Sequence, residues 1–280
     1  MISTVHYNQP SPVVFSPGIT LSGLDYCALP RVSNSDLTRI KEEQLAYRPS
    51  ANRWNTEPTS PTNRGTRTAG KAFHQHLLEP ETVGTVLEQL LPDLTNNRLA
   101  STESNPGFAP DPSRPDLMDA VWRDPFCRRY LRMAGQSRLA AGRNTAKAER
   151  ERVVLFTDPT TQLACKTRID LLYTSLKGHN ALIFDFKTTS ARTQAQFLQS
   201  CYDYDYDRQA AFYLDALRFA DGNEWATTKQ ARFLFIGVMK QQPHRLFAVE
   251  ATSLPGFVEY GRKKYRFWLR KWLETNGLTD

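Results

Sequence analysis

Three β-rich runs crowd the middle of the chain, and they constrain its fold more than any other feature. They are "RVVLFTD" (152–158), "LACKTRIDLLYT" (163–174) and "ALIFDFKTT" (181–189). The turns between them, around Asp158-Pro159 and through "SLKGHN", suit antiparallel neighbours, so the runs form a meander. A helical region follows from about Thr193 to Ala220, then two more strands, "ARFLFIGVMK" and "RLFAVEA", and a last helix. No internal repeat interrupts this order. The succession α–α–βββ–α–ββ–α predicts a single α/β domain around a central mixed β-sheet flanked by helices.

Upstream, "VSNSDLTRIKEEQLAY" reads as a helix that Ser33 and Asp36 cap as a box, with Leu37, Ile40 and Leu45 on one face. "AGKAFHQHLLEPETVGTVLEQLL" holds two short helical patterns, and "LMDAVWRDPFCRRYLRMAG" a helical one interrupted at Pro125. The Pro-rich start is extended. Two polar stretches, "YRPSANRWNTEPTSPTNRGTRT" and "PDLTNNRLASTESNPGFAPDPSRPD", are loops.

Four cysteines, Cys27, Cys127, Cys165 and Cys201, form no C-x-x-C pair, which argues against structural zinc, an iron–sulfur cluster or a secreted disulfide framework. The N-terminus lacks the signature of a secretory signal, and no run approaches the length of a membrane span. A soluble protein of a reducing compartment is expected. The formal net charge of +7 allows a nucleic-acid partner without requiring one. The basic residues concentrate in "GRKKYRFWLRKW", where Tyr265, Trp268, Leu269 and Trp272 make one helical face. The flank of Arg262, Lys263, Lys264, Arg266, Arg270 and Lys271 is either solvated or faces phosphate.

The third run carries two charges where a strand should alternate with a core. Leu182, Phe184 and Phe186 point one way, and Asp185 and Lys187 share the other face. Asp170 lies inside the second run and reaches the same end of the sheet if the two strands pair. Two carboxylates held together repel, and a hard divalent cation such as Mg²⁺ or Mn²⁺ relieves that repulsion. An ammonium beside them can orient a water or neutralise a developing phosphate charge. Such a set suits phosphodiester hydrolysis. His74 could add an imidazole from an early helix, with His76 an equal rival on spacing alone. Gln209 and Tyr213, at i and i+4, share a helix face; periodicity by itself puts Tyr213 in the core and Gln209 at the surface.

These motifs, taken in order, resemble the PD-(D/E)XK nuclease superfamily, in particular the nuclease domain of RecE-type exodeoxyribonuclease VIII. They are "SNSDL", "GKAFHQHLLEP", "ERVVLF", "KTRID", "DFKTT" and "YDRQAAFY", which span residues 33 to 213. The resemblance implies that His74, Asp170, Asp185 and the Phe186 carbonyl bind metal, and that Lys187 serves the water. It matches Gln209 and Tyr213 to the Q-x-x-x-Y motif beside the active site, and Glu151 to a recurrent acidic position. Isoleucine stands before Asp170 where many relatives have proline. The four spaced cysteines of cluster-bearing relatives are missing, so no iron–sulfur cluster is implied.

The activity that this resemblance implies is that of a Mg²⁺-dependent 5′→3′ exonuclease (Mn²⁺ substituting) that acts on double-stranded DNA ends in phage or prophage recombination. It also implies a single-strand annealing protein as partner, a ring-like homo-oligomer, and a cytoplasmic, bacterial or phage-encoded protein with no membrane contact. An endonuclease or single-strand-specific enzyme of the same fold is the alternative, and a non-catalytic DNA-binding module a further one. The expected organisation is one nuclease domain over 1–280. In it an N-terminal segment (1–66) packs on a core of about 67–252, and a basic-aromatic helix covers about 253–276.

Overall fold

The structure is a computed structural model that describes residues 23–46, 73–78, 115–136, 146–175, 178–223 and 225–276. The extended start, the first polar loop, residues 92–114 of the second and the second helical pattern after Pro80 lie outside the described residues, and the last two residues read as loop, Pro115 and Asp116, instead open a helix. Three strands, β1 (Lys147–Thr157), β2 (Ala164–Thr174) and β3 (Asn180–Thr189), form the expected antiparallel meander. β4 (Gln230–Met239) then lies parallel to β3, and β5 (Leu246–Glu250) folds back antiparallel on β4. The five strands thus make one mixed sheet in sequence order.

Helices cover both faces. On one side lie α1 (Gly23–Ala28), α2 (Asn34–Ala46), α6 (Gln194–Asp203), α7 (Tyr206–Arg218) and α8 (Phe257–Thr275). Their Leu37, Phe197, Phe212, Tyr265 and Leu269 pack with Val154, Phe156, Ile183, Phe233 and Phe235 of the sheet. The other side carries α3 (residues 73–78), α4 (Pro115–Arg123) and α5 (Pro125–Gln136). There Phe73, Leu77, Val121 and Leu131 meet Leu171, Phe184, Phe186, Ile236 and Val238.

This two-sided cover leaves β3 buried on both faces around Asp185. Asp185 is 1% exposed, and Ala181 and Ile183 on its own face are buried as well. A central strand with a parallel neighbour is covered on both faces, so its charges must find partners inside.

Local details follow from the residues. Ser33 and Asp36 close the capping box of α2, the Asp36 carboxylate accepting from Ser33 N and Oγ at 2.9 and 2.7 Å. Leu37 and Ile40 are buried as expected, but Leu45 is 51% exposed, because the last turn of α2 runs beyond the core. The interruption at Pro125 is a helix restart. Asp124 Oδ1 accepts from Cys127 N at 2.8 Å, and proline occupies the first helical position, where no N–H is needed. The helical region from Thr193 to Ala220 is two helices. They part at Tyr204-Asp205, where Asp205 takes a left-handed conformation (φ 54°) and its carboxylate is held by Lys41 and Lys264.

α7 and α8 touch at Gly261, where an added Cβ would stand 1.9 Å from the Asp207 carbonyl oxygen. The close approach brings the basic residues of α8 onto the aspartates of α7. Arg262 makes a bidentate pair with the buried Asp215 at 2.7 and 2.8 Å, and Lys264 reaches both Asp205 and Asp207. Those two cations are therefore spent within the fold, while Lys263 and Arg270 remain exposed.

Candidate active site

The site forms where the sheet loosens. β2 and β3 pair only as far as Leu171↔Phe184, although β3 continues to Thr189 along β4. Continued in the same register, Asp170 would face Asp185. Instead the Asp170 carboxylate accepts from Phe186 N at 2.8 Å, replacing the missing ladder bond. In an extended strand a residue's carbonyl projects to the same edge as its N–H, so the Phe186 carbonyl also lies on the Asp170 side.

A second irregularity meets the first. In β1, Ala148 belongs to one core whereas Val154 and Phe156 belong to the other; in β2, Leu171 and Ile169 divide in the same way. Positions an even number apart stay on one face of a regular strand, so both strands must change face between them. They do so at Glu151 and Asp170, which lie between the pairs Arg150↔Leu171 and Arg152↔Ile169. Glu151 has φ 50°, a left-handed backbone uncommon for such a residue, and Arg168 Nε meets its carboxylate at 2.6 Å.

His74 Nδ1 stands 3.4 Å from Asp170 Oδ2. It is carried by α3, which Phe73, Leu77 and Leu78 anchor in the second core, so His74 rather than its rival by spacing contacts the carboxylate. Asp185 is held at both oxygens: Gln209 Nε2 donates to Oδ1 at 2.6 Å, and Lys187 Nζ lies 2.7 Å from Oδ2. Gln209 is therefore turned inward, against the reading from periodicity alone. Tyr213, one turn further on, is half-buried with its ring edge-on to Phe233, centroids 6.0 Å apart.

The charges of the site act on one another. Burial pushes the Asp185 carboxyl up; Lys187 pulls it down and Asp170 pushes it up again, leaving it at about 6. For Lys187, burial favours the neutral amine, but Asp185, with Tyr206 and Asp170, outweighs burial and holds the ammonium above its ordinary value. Tyr213 is pushed up to about 12, by burial first and then by the charges of Asp185 and Asp170.

A divalent cation fits this arrangement. Asp185 Oδ2 is a buried oxygen whose contact with Lys187 lacks hydrogen-bond geometry. The second carboxylate, an imidazole and a strand carbonyl face the same gap, a donor set that suits Mg²⁺ or Mn²⁺. Among the described residues no three His, Cys, Asp or Glu side chains already converge as a cage. Asp185 is engaged by Lys187 and Gln209, and His74 by Asp170, so ligation would replace part of those contacts.

Two participants escaped the sequence reading. Tyr206 presents its ring 5.1 Å from the Lys187 ammonium and stacks on Phe235. Its spacing to Gln209 and Tyr213 (i, i+3, i+7) was the available signal. Arg168, the fixed arginine of "KTRID" to which the motif gave no role, is the partner of Glu151.

The fold and site can be set beside known proteins. Over 94% of this chain and 89% of its own, a crystal structure from Eubacterium rectale, of a protein provisionally named an exonuclease, superposes with a TM-score of 0.54 at 14% identity. At that identity the likeness shows a shared fold. A second solved structure, SSO0001, covers 82% of this chain and 84% of its own at 14% identity, but its TM-score of 0.25 carries no weight. No curated protein matches the chain. The profile of the family described as "PDDEXK-like domain of unknown function (DUF3799)" matches residues 133–274. That stretch is just over half of the 280 residues and holds Asp170, Asp185, Lys187, Gln209 and Tyr213, and the chain belongs to this family.

Proposed function

We propose that the protein is a divalent-metal-dependent deoxyribonuclease that hydrolyses phosphodiester bonds, most specifically as an exonuclease on the ends of double-stranded DNA. The observation that supports it most is the gap between β2 and β3. There Asp170 and Asp185 approach each other from facing strands, with the Lys187 ammonium on the buried carboxylate. A purely structural ion pair needs no second carboxylate pushing the first toward protonation.

His74, Asp170, Asp185 and the Phe186 carbonyl would hold Mg²⁺. When bound, the ion supplies Lewis acidity toward the phosphate and a more acidic water. Gln209 fixes the Asp185 carboxylate through Oδ1, so that ligation would take Oδ2 in place of part of its Lys187 contact. Lys187 stays protonated, so it acts as a donor to the attacking water and to the charge that grows on the phosphoryl oxygens, not as a base. As the water oxygen bonds to phosphorus, the bond to the leaving sugar oxygen breaks, and that oxygen takes up from solvent a proton equivalent to the one the water gives up. Tyr206 shields one side of the ammonium from solvent and adds a cation–π contact.

The exonuclease reading, its 5′→3′ direction, a role in recombination beside an annealing protein, and a ring-like oligomer rest on the RecE-like order of motifs. The provisional name of the Eubacterium rectale protein agrees with the first of these. The test is purified protein incubated with end-labelled linear duplex and with covalently closed circles, in Mg²⁺ or EDTA. Linear DNA should shorten progressively in Mg²⁺ only, while circles persist. Rapid nicking of circles would favour an endonuclease, and no cleavage of either would return the chain to the DNA-binding alternative.

A further inference from the structure

One conspicuous run enters the site as described only through Tyr206: "YDYDYD", Tyr202 to Asp207, which forms the junction of α6 and α7. Its aspartates are accounted for locally. Asp205 is held by Lys41 and Lys264, and Asp207 by Lys264 and its neighbour's N–H. Asp203 keeps an exposed carboxylate that accepts from Gln199 Nε2 at 2.9 Å. The tyrosines differ. Tyr206 lies over Lys187, and Tyr204 lies beside Tyr206, ring centroids 6.0 Å apart, with 70% of its surface open to solvent.

Six large hydrophobic side chains are exposed among the described residues, and Tyr204 is the most open of them. The turn that presents Tyr204 is held firmly: its N–H bonds to Ser200 O at 3.1 Å, and the left-handed Asp205 behind it is clamped by two lysines. A rigid, exposed ring one residue removed from the ammonium at the cleavage site is a stacking platform. The exposed Asp203 carboxylate disfavours a phosphate at this place and leaves the uncharged face of a base as what the turn accepts.

We infer that Tyr204 stacks on an unpaired nucleobase of the strand held at the Asp170–Asp185–Lys187 site, and so selects DNA whose end or strand is open. The inference takes its occupant from the nuclease reading above. Bases inside a duplex have both faces covered by neighbours, so a free face is offered by a single strand, a frayed end or the last pair of an end. Tyr204 is thus a specificity residue, outside the hydrolytic set.

The experiment uses the full chain without metal, with Tyr204→Ala and Tyr204→Phe. The probes are a single-stranded oligonucleotide carrying 2-aminopurine and a covalently closed duplex circle at the same phosphate concentration. Tyr204→Ala should weaken single-strand binding about tenfold, in keeping with the loss of one base–aromatic stack. It should also reduce the quenching of 2-aminopurine and leave binding of the closed circle unchanged, while Tyr204→Phe behaves as wild type. An abasic site at the stacked position should abolish the difference between wild type and Tyr204→Ala. Equal single-strand binding by both proteins, no binding by wild type, or an equal loss on both probes would overturn the inference. Cleavage assays in Mg²⁺ separate the two readings. An inactive wild type that still shows the Tyr204 effect would remove the nuclease and keep the stack; an active wild type without that effect would do the reverse.

Discussion

Phe186 donates its backbone N–H to the Asp170 carboxylate at 2.8 Å, across the point where β2 and β3 stop pairing. One side chain therefore closes a hole in the hydrogen-bond ladder and stands ready as a ligand. The two duties can be separated. Asp170→Asn keeps an oxygen for Phe186 N, whereas Asp170→Ala leaves a strand N–H without its acceptor. Both should lose cleavage, but only the alanine variant should lose about 1–3 kcal/mol of stability in urea unfolding. Equal stabilities would mean that water replaces the carboxylate.

Proton binding at Asp185 gives the second prediction. Its folded value of about 6 lies above the ordinary 3.8, so the folded state holds this proton more tightly than the unfolded chain does. The stabilisation is complete below about pH 4 and is lost as pH rises through 6, on the order of 2 kcal/mol across that window. Burial is the largest cause, but Asp170 contributes, so Asp170→Asn should flatten the decline. Melting temperature measured in EDTA from pH 4 to 7.5 checks it. A wild-type curve that rises over this window relative to Asp170→Asn would contradict the sign.

Removing Gln209 tests positioning. Gln209→Ala frees Asp185 Oδ1 and should lower cleavage by roughly 10- to 100-fold, the usual effect of losing a ligand's supporting hydrogen bond. Gln209→Glu should be worse still, since it sets one carboxylate against another. Single-turnover rates for the two variants give the order, and a fully active Gln209→Glu would show that the contact is dispensable.

The α7–α8 contact makes a prediction about the fold alone. Gly261→Ala puts a methyl into the Asp207 carbonyl, and helix backbones cannot yield as a flexible side chain does. A loss of about 3 kcal/mol or more is expected, read as urea midpoint or as soluble yield. Wild-type stability would mean that α8 sits further from α7 than described.

Much of this was legible in the sequence where the signal is periodic. The meander, a mixed sheet and the capping box follow from alternation, turn length and spacing of residues such as Ser33 and Asp36. The ordered motifs led to the set of His74, Asp170, Asp185, Lys187 and Gln209, and the fold brings these together. What sequence could not show depends on contacts between distant segments. Asp185 looks half-exposed on its strand, because α7, which covers it, arrives some twenty residues later. The break at Tyr204-Asp205 needs Lys41 and Lys264 to hold it, and neither is near in sequence. The left-handed Glu151 has no glycine or asparagine to announce it. Arg262 and Lys264 resembled a phosphate-binding flank until α8 was laid on the aspartates of α7.

The Lys187–Asp185 contact at 2.7 Å is also what an ordinary buried ion pair would make, so it is the place to decide between chemistry and structure. The most direct measurement is single-turnover cleavage of linear duplex in Mg²⁺ by wild type and Lys187→Ala, alongside calorimetric metal titration of both. An ammonium has no lone pair for a metal, so Lys187→Ala should bind Mg²⁺ nearly as wild type does. Its cleavage should fall by about a hundredfold or more, the typical loss when a donor to developing oxyanion charge is removed. If metal affinity collapsed together with activity, or if wild type cleaved nothing, Lys187 would be only the counter-ion that keeps Asp185 buried.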